Sequence, residues 1–148
     1  MIRKLKARYF VRGDVQKRLF TETIYEYYRV IQWATVRLML LFQFIIGLQS
    51  QIIDFTNAFA QVDIQSGELV FIEITKYFKS NGVQCDVVIR LNKILFGQAK
   101  AARLWSGNLQ NVLLDCGFVV SKVDPCIFMS KTVICVVYVD DCLFWAHS

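Results

Sequence analysis

Several residue types whose abundance is typical of a particular protein class are scarce in this sequence of 148 residues. It contains one proline, one histidine and seven glycines, which excludes collagen-like and linker-like chains and argues against a structural zinc site. Its five cysteines form no C-x-x-C pair and lie mostly in apolar surroundings. We therefore expect free, buried thiols in a reducing intracellular protein at all five positions, Cys85, Cys116, Cys126, Cys135 and Cys142.

Long apolar runs are also lacking. The longest, residues 36–48, has 13 residues and includes Arg37, whereas a helix that spans a bilayer needs about 20. No apolar segment follows the basic N-terminus as a signal peptide would require. The run predicts a core helix, and a membrane-associated protein built on it is a third interpretation beside the two given below.

Charge is present in modest excess and is unevenly placed. Seventeen Lys and Arg residues against twelve Asp and Glu residues give a net charge of +5, and seven of the basic residues fall within residues 1–18 beside one acid, Asp14. A basic segment of this kind is compatible with a polyanionic partner such as nucleic acid. Because 55% of the residues are hydrophobic, the chain also has enough apolar mass for a folded core.

Two helices are predicted from the spacing of apolar residues. The first covers residues 32–46, with Thr35 as N-cap and Gly47 as its end. The second is amphipathic, covers residues 100–116 and ends at Gly117. Its buried positions should be Ala101, Leu104, Trp105, Leu109, Val112, Leu113 and Cys116.

Strands are predicted on both sides of the second helix. A short strand over residues 51–55 is followed by one helical turn at 56–61, and residues 68–91 form a β-hairpin with a long connection. After the helix, we expect strands at 126–129, 132–139 and 142–146, with Asp140 and Asp141 at the tip between the last two. Helices and partly antiparallel strands together predict the α+β class.

Three carboxylates lie at the ends of apolar strands. Asp140 and Asp141 adjoin the apolar runs 133–139 and 142–146, and Asp54 ends the strand at 51–55. Because burying an unpaired carboxylate costs several kcal/mol, such residues need either a solvated turn or a bound cation. Mg²⁺ prefers carboxylates together with phosphate oxygens, and a pair of such ions supports phosphoryl transfer. A magnesium site and plain turn chemistry are both compatible with this pattern.

Seven motifs appear in order over nearly the whole chain: KARYFVRG (6–13), TVRLML (35–40), QIIDFTNAFAQVDI (51–64), ELVFIEI (68–74), RLNKILFGQAKAARLW (90–105), SKVDPCIFMSK (121–131) and VVYVDD (136–141). With them the chain resembles the reverse transcriptase of copia-type (Ty1/copia) LTR retrotransposons. The resemblance implies a right-hand polymerase palm with fingers, an antiparallel sheet backed by helices, and no thumb. The fingers would be approximately residues 1–31 and 63–100, and the palm approximately 32–62 and 101–148.

The resemblance also implies an RNA-directed DNA polymerase that uses two Mg²⁺ ions, with Mn²⁺ as a substitute. The catalytic and metal-binding residues would be Asp54, Asp140 and Asp141. The dNTP-binding residues would be Lys6, Arg8 and Phe59, and the template or primer contacts would be Phe96, Gly97, Arg103 and Tyr138. Each of these last seven residues has a structural alternative: a solvated charged strand, a core aromatic ring, a strand-to-helix turn or a solvent-facing helical arginine.

The sequence departs from the family motifs at several positions. Ala102 replaces a proline, Asp14 replaces an aromatic residue, and the thumb and ribonuclease H portions expected of the family have no counterpart within residues 1–148. Two interpretations therefore stand. The first is a fragment of an intracellular, cytoplasmic retrotransposon particle. It would act on an RNA template, a DNA primer and dNTPs, would depend on the missing polyprotein portions or a second copy as partners, and would have little processive activity. The second is a decayed non-catalytic remnant that binds nucleic acid through residues 3–18.

Overall fold

The computed structural model describes residues 10–13, 30–73 and 88–147. In this part of the chain, the helices and strands follow one another in the order α1 (Trp33–Ile46), β1 (Gln49–Asp54), a 3₁₀ turn (Ala58–Gln61), β2 (Val70–Glu73), β3 (Val88–Leu91), α2 (Ala101–Asp115), β4 (Val119–Val120), β5 (Ile127–Met129), β6 (Val133–Tyr138) and β7 (Asp141–Ala146). The class is α+β, as the sequence predicts. The two-residue strand β4 is an addition to the predicted elements.

Five of the strands form one antiparallel sheet, in the order β1-β7-β6-β5-β4. The first strand of this sheet in the sequence therefore lies at one edge, beside the last. β2 and β3 form a separate antiparallel pair, which confirms the predicted hairpin over the residues that the structure describes. The 3₁₀ turn after β1 confirms the predicted helical turn.

Helix α2 packs on one face of the five-stranded sheet. Trp105, Leu109 and Leu113 join a core cluster with the sheet residues Phe128, Cys135, Val137 and Cys142. The helix ends as predicted, with Gly117 in the left-handed region at φ 86°. The predicted burial of Val112 and Cys116 is wrong, since both are exposed. Only the row of residues four apart faces the sheet, and these two positions lie to one side of that row.

Helix α1 lies on the opposite face and is much less buried than a core helix. Its buried residue is Met39, whereas Phe44 is 84% exposed and Ile45 is 77% exposed. The prediction of a core helix is therefore wrong, because most of the apolar side chains of α1 are exposed. Apolar residues occupy most of the circumference of this helix, and one sheet face covers only one side of it. Its end is as predicted, because Gly47 adopts φ 67° and its N–H donates to the carbonyl of Gln43.

Two side-chain hydrogen bonds among the described residues join α1 to the loop before β5 and to β7. The hydroxyl of Thr35 donates to Oδ2 of Asp124 at 3.1 Å, and the indole N–H of Trp145 donates to Oε1 of Gln43 at 3.1 Å. The helix begins after Gln32, so Thr35 lies inside its first turn and the predicted N-cap role is wrong. The hydroxyl that was expected to cap the helix instead binds a buried carboxylate from the loop before β5.

Cys116, Cys135 and Cys142 are free thiols, as predicted, while Cys85 lies outside the described residues. Cys126, Cys135 and Cys142 are buried and Cys116 is exposed. A hydrogen bond with Cys142, together with burial, raises the pKa of the Cys135 thiol well above its ordinary value. None of the helices in the described ranges is long and apolar enough to cross a membrane.

Candidate carboxylate site

The site is built on the pairing between β1 and β7. Asp54, the last residue of β1, is the direct cross-strand partner of Asp141, the first residue of β7. Asp141 is in turn the cross-strand partner of Tyr138 at the end of β6. Side chains of directly opposed residues lie on the same face, with Cβ atoms about 4.5–5.5 Å apart. Asp54, Asp141 and Tyr138 therefore form one row across the sheet.

Asp140 lies in the two-residue connection between β6 and β7. The tip of this hairpin is Val139 and Asp140, so the predicted tip at Asp140 and Asp141 is shifted by one residue. The carbonyl of Asp140 accepts a hydrogen bond from the N–H of Phe55 at 3.3 Å, which ties the hairpin to the residue after Asp54. The three predicted acids are thus brought together by the backbones of β1, β6 and β7.

The carboxylate side chains do not surround a common point at which a metal ion would lie in the described residues. Within residues 10–13, 30–73 and 88–147, no group of three His, Cys, Asp or Glu side chains is placed to hold a metal ion. The donors that are present are nevertheless hard oxygens, the type that Mg²⁺ prefers, and Mg²⁺ commonly takes only one or two carboxylates with substrate phosphates completing its shell. The opposed pair Asp54 and Asp141 fits this requirement.

Val139 has an unusual backbone conformation. Its φ of 57° lies in the left-handed region, which a β-branched residue rarely adopts. Its carbonyl accepts a hydrogen bond of 2.8 Å from the indole N–H of Trp105, on α2. Conformations of this kind persist when surrounding structure holds them and occur preferentially at functional sites.

An apolar recess of about 220 Å³ adjoins the carboxylate row on the α1 side of the sheet. Asp141 and Tyr138 contribute its polar groups, and its remaining lining is apolar: Ile31, Trp33, Val36, Ile52, Val136 and Leu143. The rings of Trp33 and Tyr138 are 6.4 Å apart and tilted. Because apolar walls lower the local dielectric, they strengthen the electrostatic interactions of a carboxylate at the position of Asp141.

Phe59 and Phe96 are in contact, although the sequence predicts separate roles for them. Phe59 is half-buried in the 3₁₀ turn that follows β1, and Phe96 is 59% exposed in the loop between β3 and α2. Their ring centroids are 5.6 Å apart in an edge-to-face arrangement. The contact brings the predicted dNTP-binding ring beside the predicted template turn.

Gly97 is required by a close approach of two backbones. It adopts φ 91°, and a Cβ atom at this position would overlap the carbonyl of Val11. The N–H of Val11 donates to the carbonyl of Phe96 at 2.9 Å. The sequence predicts a turn or a template contact at Gly97, and the crossing by residues 10–13 is a further role that the sequence pattern did not reveal.

Three predicted site residues remain: Arg103, Lys6 and Arg8. Arg103 lies in the first turn of α2 and is half-buried, and its contact with template phosphate stays a prediction. Lys6 and Arg8 lie outside the described residues. The sequence reading missed two residues beneath the site, Trp105 and Phe55, whose rings meet edge-to-face at 5.4 Å. The available signal was the indole N–H of Trp105, because a buried indole usually has a hydrogen-bond partner.

The chain matches known proteins in sequence. The family model described as reverse transcriptase (RNA-dependent DNA polymerase) matches residues 2–148. The chain is 26% identical over 146 residues to the Retrovirus-related Pol polyprotein from transposon TNT 1-94 of Nicotiana tabacum, a copia-type element. That alignment covers 95% of this chain and 11% of the relative, so the chain spans a small part of the relative's length. No solved structure matches.

Proposed function

The chain belongs to the reverse transcriptase family, and on that premise we propose that it is the fingers and palm portion of an RNA-directed DNA polymerase of a copia-type retrotransposon. The five-stranded sheet with α2 is the palm, and the β2–β3 hairpin with the loop to α2 belongs to the fingers. The observation that carries the proposal is the pairing of Asp54 with Asp141 across β1 and β7, with Asp140 in the adjoining turn.

The metal ions of this reaction would be held by Asp54, Asp140 and Asp141. Two Mg²⁺ ions, or Mn²⁺ in their place, would activate the primer 3′-hydroxyl and neutralise charge on the triphosphate and the leaving pyrophosphate. The chain contributes the geometry. Strand pairing fixes Asp54 and Asp141 on one face, and rigid strands position ligands more accurately than loops do.

The nucleotide would lie against Phe59. Because the rings of Phe96 and Phe59 pack in an edge-to-face arrangement, the Phe59 ring is restrained from swinging aside. A restrained ring next to the sugar would exclude a 2′-hydroxyl and thereby favour dNTPs over rNTPs. Lys6 and Arg8 would pair with triphosphate oxygens through charge-assisted hydrogen bonds.

Template and primer would contact residues on either side of the carboxylate row. Tyr138 lies in that row and is 41% exposed, which suits a contact with the primer end. Gly97 and Phe96 would lie beneath the templating base, and Arg103 would bind template phosphate. The other portions of the Pol polyprotein, including a thumb and ribonuclease H, would be partners within a cytoplasmic particle.

Addition of a single nucleotide to an annealed RNA template and DNA primer tests this proposal. We expect metal-dependent addition by the wild-type chain at low salt, and a fall of roughly 100-fold or more in Asp54→Asn, because a ligand of the transferring groups is lost. Asp63→Asn is the matched control, since Asp63 is an exposed acid paired with Lys93 at 2.6 Å. This variant should retain wild-type addition.

The same variants separate the polymerase from the alternative of a basic nucleic-acid-binding remnant. A remnant would bind the template and primer in a salt-dependent manner without adding a nucleotide. It would show no metal-dependent dNTP binding, so Asp54→Asn would bind dNTP no differently from the wild type. A wild-type chain that binds duplex but shows neither nucleotide addition nor Mg²⁺-dependent dNTP binding would exclude the polymerase.

A further inference from the structure

We propose that Trp105 is a positioning residue of the carboxylate site, which it holds from beneath by contacting both the hairpin that carries Asp140 and the chain that carries Asp54. This inference rests on the proposed function. Trp105 itself is 1% exposed and lies on the α2 face of the sheet, together with Val137 and Cys142. Because side chains alternate along a strand, it is on the opposite face from Asp141 and does not touch a ligand bound there.

The first contact is a hydrogen bond to the hairpin tip. The indole N–H donates to the carbonyl of Val139 at 2.8 Å, one residue before Asp140. The carbonyl of Val139 belongs to the peptide group between Val139 and Asp140. Because this carbonyl must point toward the indole N–H, the hydrogen bond fixes the direction of that peptide group. That peptide group sets where the Asp140 side chain points.

The second contact is with the end of β1. The indole meets the ring of Phe55 edge-to-face, with centroids 5.4 Å apart, and Phe55 directly follows Asp54. The N–H of Phe55 also donates to the carbonyl of Asp140 at 3.3 Å. Trp105, Phe55 and the hairpin thus form a closed set of contacts beneath the three acids.

The conformation of Val139 explains why the hairpin needs this support. A β-branched residue at φ 57° is strained, and surrounding structure must hold it there. Without the indole hydrogen bond, the two-residue connection gains access to less strained conformations. Asp140 and Asp141 would then sample positions that do not suit a common cation. Outer groups that orient metal ligands typically contribute 10- to 100-fold in metal affinity.

The test is Mn²⁺ binding to the 148-residue chain, measured by electron paramagnetic resonance, for two matched tryptophan variants. Trp105→Phe keeps a ring but removes the N–H that binds Val139. Trp145→Phe removes an equally buried indole N–H, one that binds Gln43 of α1 on the other face. We expect Mn²⁺ affinity to fall about tenfold or more in Trp105→Phe and less than about twofold in Trp145→Phe, with similar losses of thermal stability in both.

The outcomes distinguish the positioning role from the proposed function. Equal Mn²⁺ affinities of the two variants, with wild-type binding intact, would overturn the role of Trp105 alone. A wild-type chain that binds no Mn²⁺ would overturn the proposed function itself.

A measurement on the wild-type chain covers the case in which Trp105→Phe fails to fold. With ¹⁵N-labelled tryptophan, titration with Mg²⁺ should shift the indole N–H resonance of Trp105 and leave that of Trp145 in place, because only the first is bonded to the hairpin. Trp145→Phe and Trp33→Phe each identify their own resonance by its loss, so the third of the three indole resonances is that of Trp105. A Trp105 resonance that does not respond at saturating Mg²⁺ would contradict the proposal.

Discussion

Asp54 and Asp141 are direct cross-strand partners, so two acids face each other where the edge strand β1 meets β7. Like charges directly opposite each other on a sheet are destabilising. An arrangement that costs stability in the absence of a cation is typical of a site that is completed by one, and this relationship leads to the first prediction.

Neutralising one acid of the pair should stabilise the metal-free chain. We expect the free energy of unfolding without divalent cations to rise by up to about 1 kcal/mol in Asp141→Asn, because the opposed charges are removed. Mg²⁺ should stabilise the wild-type chain by mass action and should not stabilise the variant. Denaturant unfolding with and without Mg²⁺ measures both effects. The control Asp63→Asn should respond to Mg²⁺ as the wild type does, and a variant still stabilised by Mg²⁺ would contradict the assignment.

Nucleotide choice should depend on the Phe59 ring. We expect Phe59→Ala to increase rNTP incorporation relative to dNTP incorporation by roughly tenfold or more, because the steric barrier at the sugar is removed. Phe96→Leu should have a smaller effect in the same direction, since it removes only the ring that packs on Phe59. The ratio of kcat/KM for the two nucleotides is the measurement. An unchanged ratio in Phe59→Ala would assign Phe59 to the core instead.

Two glycines should respond in opposite ways to alanine. Gly97→Ala should lower the free energy of unfolding by about 3 kcal/mol or more, because the left-handed conformation and the overlap with Val11 both oppose a Cβ atom. Gly107→Ala is the control, since Gly107 lies within α2 and a Cβ atom there would meet open space. It should raise stability by about 0.5–1 kcal/mol. Denaturant unfolding of both variants checks the prediction, and similar effects in the two would contradict the crossing at Gly97.

The buried thiol of Cys135 should make stability depend on alkaline pH. Its pKa is raised in the folded chain by the hydrogen bond with Cys142 and by burial, whereas an unfolded thiol ionises near about pH 8.5. The stabilisation is therefore complete below about pH 8.5 and is lost as pH rises further, because only the unfolded chain releases this proton. The slope contributed is up to about 1.4 kcal/mol per pH unit.

Guanidinium unfolding as a function of pH measures this slope. Because the pKa of the buried Cys142 thiol depends on its hydrogen bond with Cys135, the test replaces both thiols. Cys135→Ala/Cys142→Ala should flatten the decline above about pH 8.5, whereas the exposed thiol variant Cys116→Ala should keep the wild-type pH dependence. An unchanged slope in the double variant would show that other groups cause the decline.

Local patterns were sufficient to predict α2, the β2–β3 hairpin and the end of α1. The buried row of α2 follows from residues four apart, and Gly47 and Gly117 mark helix ends by their conformational freedom. These features depend on neighbours in sequence. The sequence also singled out all three acids at the ends of strands.

Features that depend on distant parts of the chain were not predictable in the same way. The hairpin tip was placed one residue late because Val139 is not a turn-forming residue, and its turn is held by Trp105 on α2. The composition of α1 predicts burial, but how much of a helix is covered depends on what packs against it. The pairing of Asp54 with Asp141 gives no local signal. The acids at the strand ends were compatible with a shared magnesium site and with plain turn chemistry alike, and the family resemblance favoured the first.

The position of β1 at the edge of the sheet has a consequence for when the acid pair can form. The partner of β1 in the sheet is β7, so Asp54 pairs with a residue that is 87 positions later in the chain (141 − 54 = 87). Long-range strand pairing of this kind is slow, because the entropy of closing the loop is lost before the contacts form. During synthesis on the ribosome, Asp54 and the strand that carries it emerge long before their partner. The pair of Asp54 and Asp141 is therefore among the last features of the protein to assemble.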